Sequence, residues 1–257
     1  MIVFLHINKT AGSTLQFVLE NNFGISACHT NHTKRPVFAQ KDFEFARKFF
    51  PFMKSVAGHN LIDPLSLDVP SPFHITFLRD PIARVFSNYQ GTILKGENRL
   101  TFEESMQKYG FLKNQHVKLM AGGENLDKAK RYLERCDFVG LTEKFDLSLH
   151  VLGKLCPYPL NLKYKRRRVA TSNHIRKPLL EDSRMVELAR HYNQLDIQLY
   201  DFAVKEIFPR ICERAGFKPD DSVPSFDEYT TDFHWRYRLC HLYNLLIFRQ
   251  SGKLRPR

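Results

Sequence analysis

Four apolar residues, Ile2–Leu5, head the chain and stop at the largely polar stretch His6-Ile7-Asn8-Lys9-Thr10-Ala11-Gly12-Ser13-Thr14. Such a run predicts a short strand buried on both faces of a parallel sheet. Leu15, Val18 and Leu19 then fall at helical spacing, and Asn21-Asn22-Phe23-Gly24 supplies a stop. Strand, loop and helix make half of a β-α-β unit, and the pattern recurs. KDFEFARKFF predicts a helix that Pro51 ends, MKSVAGH a strand running into a glycine, and FHITFL a strand of β-branched and aromatic residues. Asp80-Pro81 then forms a helix start, with proline at the first helical position, and RVFSNYQGTIL continues that helix.

LTFEESMQKYG, NQHVKLMAGG and ENLDKAKRYLE read as helical. CDFVGLTEKFDLSLHVLGKL repeats the strand-to-helix step, with Thr142 as the expected N-cap. KYKRRRVATSNHIRKP lacks an apolar period and predicts a loop, while EDSRMVELARHYNQLDIQLYDFAVKEIF predicts one bent helix or two in succession. Alternating strands and helices predict an α/β fold, with helices on both sides of a central parallel sheet. Residues 1–218 form a single domain on this reading. Residues 219–257 form a linker followed by FHWRYRLCHLYNLLIFRQSGKLRPR, in which Trp235, Leu239, Leu242 and Leu246 recur at helical spacing beside Arg236, Arg238 and Arg249. A basic, aromatic-rich helix of this kind can lie on a membrane surface, dock on the core or contact a second copy.

Composition narrows the classes. The chain has 257 residues, 43% hydrophobic and with 22 Phe, which is ample for a core and excludes disorder. A surplus of 39 Lys+Arg over 27 Asp+Glu, net +12, points to an anionic partner: nucleic acid, membrane, acidic polymer or phosphorylated ligand. Cys28, Cys136, Cys156, Cys212 and Cys240 are scattered without a C-x-x-C pair. That argues against a disulfide framework or zinc site and for buried thiols in a reducing compartment. No apolar run reaches the roughly 18–20 residues of a spanning helix, and no signal sequence precedes the first strand. The expected location is therefore cytoplasmic, with membrane association through the C-terminal helix left open, unless the native N-terminus lies upstream.

Chemistry concentrates in the first loop. Backbone N–H groups at a helix N-terminus, reinforced by the helix dipole, favour an anion. Gly12 lets backbone approach closely, Ser13 and Thr14 add hydroxyls, and Lys9 adds a full charge. A Walker A loop would carry its lysine behind the last glycine and a metal-binding hydroxyl after it. Here the lysine precedes the glycine by three residues, so nothing in the loop calls for a metal ion. FLRDPIARVFSNY puts Arg79 just past a strand and Ser87 in the following helix. Parallel sheets gather ligands at the carboxyl ends of their strands, so Lys9 and Arg79 are expected to converge on one crevice.

HINKTAGSTL followed by FLRDPIARVFSNY resembles the paired phosphate signatures of sulfotransferases that use 3′-phosphoadenosine 5′-phosphosulfate, especially the carbohydrate branch of heparan sulfate 2-O- and 6-O-sulfotransferases and their bacterial relatives. GLTEKFDLSLHVL is similar to a further segment of that family, and the likeness covers roughly residues 1–205. Asn8 stands where the family has proline. The resemblance implies a three-layer, P-loop-like fold. It assigns Lys9, Thr10, Ala11, Gly12, Ser13 and Thr14 to the 5′-phosphosulfate, and Arg79 and Ser87 to the 3′-phosphate. It makes His59, behind Gly58, the base and Lys9 a catalytic charge. A histidine suits proton abstraction near neutral pH. Transfer is expected to be direct and in line, with a hydroxylated glycan or glycoconjugate as acceptor and no metal.

The basic run Lys163, Lys165, Arg166, Arg167 and Arg168, with Ser172 and Asn173, reads as a flap over the nucleotide or a dock for an acidic glycan. The flap reading, which the resemblance favours, adds Arg167, Arg168 and Ser172 to the donor site. No nucleic-acid recognition motif accompanies the run. His6 reads as structural, and Asn114-Gln115 resembles a segment lining the acceptor cleft. Two rival readings are a kinase-like phosphotransferase, which would need a Walker A order and a metal-binding acid, and a non-catalytic basic protein that binds glycan or nucleic acid.

Overall fold

The computed structural model describes residues 1–33, 35–50, 52–96, 99–164, 173–226 and 235–254, with side chains to Phe248 in the last stretch. Arg167, Arg168 and Ser172 lie outside the described residues. In chain order the elements are β1 (Ile2–Leu5), α1 (Gly12–Phe23), β2 (Ala27–His29), α2 (Gln40–Phe49), β3 (Ser55–Gly58), β4 (Phe73–Leu78), α3 (Pro81–Leu94), α4 (Phe102–Lys108), α5 (Gln115–Ala121), α6 (Leu126–Arg135), β5 (Phe138–Leu141), α7 (Phe145–Leu155), α8 (Arg176–Glu181), α9 (Ser183–Tyr192), α10 (Gln194–Phe202), α11 (Phe208–Arg214) and α12 (Trp235–Leu254). The strands form one parallel sheet in the order β2-β3-β1-β4-β5, flanked by helices, as the alternating pattern predicts.

Successive strand residues point to opposite faces, so Val3 and Phe4 enter different layers. Val3 joins Val56, Phe43, Phe50 and Phe248 beneath α2 and α12. Phe4 joins the larger cluster, which draws on α1, α5, α6, α7 and α11. In register, Leu5 at the end of β1 stands opposite Gly58 of β3 and Thr76 of β4. The loops that follow β1, β3 and β4 therefore open on the same edge.

One strand is new and three local expectations change. β2, only Ala27-Cys28-His29, is too short to show a period and exists because β3 pairs with it. Thr142 does not cap α7: its hydroxyl donates to the Leu78 carbonyl (2.8 Å), tying β5 to β4. The last residues of the basic stretch are helical, since α8 starts at Arg176. Asn114-Gln115 also serves a joint rather than a cleft. Asn114 Oδ1 accepts from the Leu195 and Asp196 N–H groups, and Gln115 Oε1 accepts from Arg84 Nη1.

The bent-or-double helix is α9 followed by α10, which runs through a π turn at Ala203–Ile207 into α11. Pro209 just beyond the turn lacks the N–H that would continue a regular ladder. The chain past α11 returns to the core. The Tyr164 N–H donates to the Phe226 carbonyl (3.0 Å), and Phe226 stacks on His150.

α12 seats on α1 and on the outer edge of β2. An edge strand leaves backbone groups unpaired. Asn244 supplies their partners: its Oδ1 accepts from the His29 N–H (2.7 Å) and its Nδ2 donates to the Ala27 carbonyl (2.8 Å). Tyr237 packs on Phe17, and Tyr243 donates to the Phe49 carbonyl. The residues picked out by spacing, Trp235, Leu239, Leu242 and Leu246, are not the docked ones and lie 45–58% exposed. Among the described residues no helix is long and apolar enough to cross a membrane. The five cysteines are free, and burial drives the thiols of Cys28, Cys136 and Cys240 well above their ordinary pKa, so they are inert.

Candidate active site

The first loop owes its shape to two residues in the left-handed backbone region, Lys9 (φ 69°) and Ala11 (φ 60°). Neither is glycine, so each conformation carries strain of the kind found at ligand-binding loops. The loop is braced from within. The Thr10 hydroxyl is fully buried and donates to the Ile7 carbonyl (2.9 Å), and the Thr14 N–H donates to the Ala11 carbonyl (2.9 Å). Thr10 therefore meets the crevice through backbone only. Ser13 is half-buried at the start of α1. Gly12 has a second reason to be glycine beyond close ligand approach: the space of a Cβ is filled by the His6 ring.

Lys9 and Arg79 do converge. Arg79 Nη1 donates to the Lys9 carbonyl (3.1 Å), reaching across from the end of β4 to the end of β1. The Lys9 ammonium lies over α3 at Gly91, where a Cβ would come within 2.7 Å of Nζ. Ser87 is one turn before Gly91, on the same face of α3. Arg79 thus holds the loop backbone, and the Lys9 ammonium lies one turn along α3 from Ser87.

Arg79 is held from behind. Asp80 caps α3 by accepting from the Ala83 N–H (2.7 Å). Glu143 accepts from the Asp80 N–H (3.0 Å) through one carboxylate oxygen and from the Tyr200 hydroxyl (2.8 Å) through the other. Burial lowers the Arg79 pKa, and Glu143 opposes that shift. Arg176 adds a second cation that also lowers it. The Arg176 N–H is fixed by Gln90 Oε1 (2.9 Å), and its Nε is buried with no hydrogen-bond partner among the described residues. A buried guanidinium nitrogen without an acceptor fits a site for an oxyanion. Sequence reading passed over Arg176 because it stood at the end of a basic run with no period to single it out.

His59 follows β3 and faces the loop. Its Nδ1 lies 2.6 Å from the His6 carbonyl oxygen, which can only accept. The proton in that contact therefore sits on Nδ1, and in the neutral ring Nε2 is then the accepting nitrogen. The His59 N–H donates to Asn31 Oδ1 (2.8 Å), and Gly58 must be glycine because a Cβ there would overlap Thr30 Oγ1. The His59 and His6 rings pack with centroids 4.0 Å apart.

The His6 ring is fixed by a buried chain that begins at a carboxylate. Glu20 Oε1 accepts from Gln16 Nε2 (2.7 Å), so Gln16 Oε1 accepts from His6 Nδ1 (2.9 Å). Beside His59 an open cleft of about 540 Å³ is lined by Asn31, Arg35, Pro36 and Asn60. Asn60 shapes its wall by donating to the Thr30 and Arg35 carbonyls.

The loops at the carboxyl ends of β1, β3 and β4 thus carry Lys9, a helix N-terminus, His59 and Arg79, with Arg176 near Arg79. Such an array can hold two oxyanions and take a proton from a group in the cleft. A comparison with the curated proteins gives no match. Residues 1–174 match the model of the sulfotransferase family, and with two thirds of its length so matched the chain belongs to that family.

Proposed function

We propose that the chain moves the sulfuryl group of 3′-phosphoadenosine 5′-phosphosulfate to a hydroxyl of a carbohydrate acceptor, with His59 as general base. The observation that carries the reading is the meeting of Lys9, Arg79 and His59 from three adjacent strands at one sheet edge. On this reading Lys9, the N–H groups of Gly12 and Ser13 and the hydroxyls of Ser13 and Thr14 hold the 5′-phosphosulfate. Thr10 and Ala11 shape the backbone around it. Arg79, Ser87 and Arg176 hold the 3′-phosphate. Arg167, Arg168 and Ser172 are assigned to the nucleotide by the family resemblance alone.

The chemistry follows from charge. As the sulfuryl group departs, negative charge grows on the phosphate oxygen left behind. Lys9 and the loop N–H groups are preorganised to receive it. His59 Nε2 accepts the proton of the attacking hydroxyl. The cleft beside His59 is open and lined by amide and guanidinium groups, which suits a hydroxyl-rich acceptor better than an apolar one.

Transfer of labelled sulfate from the donor to a panel of glycans, with 3′-phosphoadenosine 5′-phosphate as co-product, tests the reading. His59→Ala is expected to slow turnover by about 10²–10⁴-fold while leaving nucleotide binding intact. Lys9→Ala is expected to lower turnover by about 10²–10³-fold. A His59→Ala protein with full turnover, or transfer of phosphate from ATP in place of sulfate, would overturn it.

A further inference from the structure

α12 is apolar on two sides. Its inner side, with Tyr237, Cys240, Asn244 and Phe248, is docked on α1, β2 and the core. Its outer side carries Trp235 (58% exposed), Leu239 (45%), Leu242 (54%), Leu245 (42%) and Leu246 (50%). Positions 235, 239, 242 and 246 follow one helical stripe, roughly 17 Å long at 1.5 Å per residue. A contiguous apolar stripe of this kind on an otherwise well-packed protein marks a binding surface.

Charge decides between its occupants. From Trp235 to the last residue the sequence has six basic residues, Arg236, Arg238, Arg249, Lys253, Arg255 and Arg257, and no Asp or Glu. In the sequence, positions 249 and 253 continue the 235–246 spacing and both are basic. A second copy laid on this face would bring two sets of six positive charges together with no counter-charge on either helix. An anionic bilayer supplies that counter-charge and also takes up the Trp and Leu side chains.

We infer that the outer face of α12 binds the surface of an anionic lipid membrane, with the helix lying in the interface. The inference is independent of the catalytic reading. The 3-10 turn at Thr30–Thr33 would link the two surfaces. Asn31 of that turn accepts from the His59 N–H, and His32 packs on His241 of α12 with ring centroids 5.0 Å apart.

Trp235 is the chain's only tryptophan, so the docking helix carries its own reporter. The experiment adds vesicles of phosphatidylcholine alone, or mixed equally with phosphatidylglycerol, to the full chain and reads Trp emission and flotation. The expected result is a blue shift and co-flotation with the mixed vesicles, weakened about tenfold or more on the neutral ones. Leu242→Gln with Leu246→Gln keeps net charge and inner face, and is expected to abolish both signals with an unchanged melting temperature. Three results would each overturn the inference: no blue shift on mixed vesicles, flotation undiminished in the double variant, or a lipid-free dimer that the double variant dissolves. The second would assign binding to net charge alone, and the third would give the face to a second copy.

Discussion

Single residues here carry roles that differ in how they read from the chain. Gly91 is the sharpest case. A methyl there meets only the flexible end of Lys9, so Gly91→Ala is expected to leave the fold stable yet push the ammonium away from the crevice. Turnover should fall at least tenfold while the thermal midpoint stays within about 2 °C of wild type, a surface-like stability change. Gly58→Ala should differ in stability, because the added Cβ overlaps the buried Thr30 Oγ1 and crowds the Asn31 and Asn60 side chains. It is expected to lose both activity and thermal stability, measured on the same preparation. Lys9 and Arg79 were readable because charge at a strand end is a local signal. His59 was singled out only through the family resemblance, and neither Gly91 nor Arg176 was readable. Their roles depend on side chains that arrive from 82 and 97 residues away in sequence.

At the scale of elements, joints and edges decide what the helices do. Arg84 is 0% exposed inside the joint of α3, α5 and α10, with Nη1 on Gln115 Oε1 (2.6 Å) and Nη2 3.9 Å from Asp196. Asp196 also accepts from the His116 and Val117 N–H groups, so it is anchored whether or not Arg84 is there. Arg84→Ala would leave the carboxylate buried without its cation, which costs about 3–5 kcal/mol and shows in urea titration as a lower midpoint. Asn244 is the corresponding residue of the sheet edge. Asn244→Leu would strip partners from the Ala27 carbonyl and the His29 N–H, for a loss of about 1–3 kcal/mol. Hydrogen exchange at His29 should then rise ahead of the central strands. Periodicity foretold the α12 helix but left open what its Trp235–Leu246 stripe meets; Asn244, the polar residue that fits the β2 edge on the opposite side, settles which side docks.

For the whole molecule, buried histidines set the response to acid. Burial, with help from Arg84, lowers the pKa of His116 to about 4 against an opposing pull from Asp196, lowers His32 to about 4 with help from His241, and lowers His74 against the pull of Asp137. The unfolded chain takes up protons at these sites below about pH 6.5, where the folded chain does not. Their stabilising effect is therefore complete above about pH 6.5 and is lost as pH falls toward 4. For His116, at about 1.4 kcal/mol per pKa unit, the loss is about 2 kcal/mol by pH 5, or a fall in melting temperature of order 5 °C. Calorimetry at pH 7 and pH 5 checks this, and His116→Leu should flatten the slope. The sequence by itself determined the alternation of strands and helices, the strand-loop-helix at the head of the chain, and the basic surplus. Each is written in neighbouring residues. Only the tertiary structure decided that β2 joins the sheet, that Arg176 stands beside Arg79, that His59 is protonated on Nδ1, and which face of α12 meets solvent. Those depend on which distant groups come within hydrogen-bonding reach, and strand order and helix docking fix that, since local periodicity does not encode it.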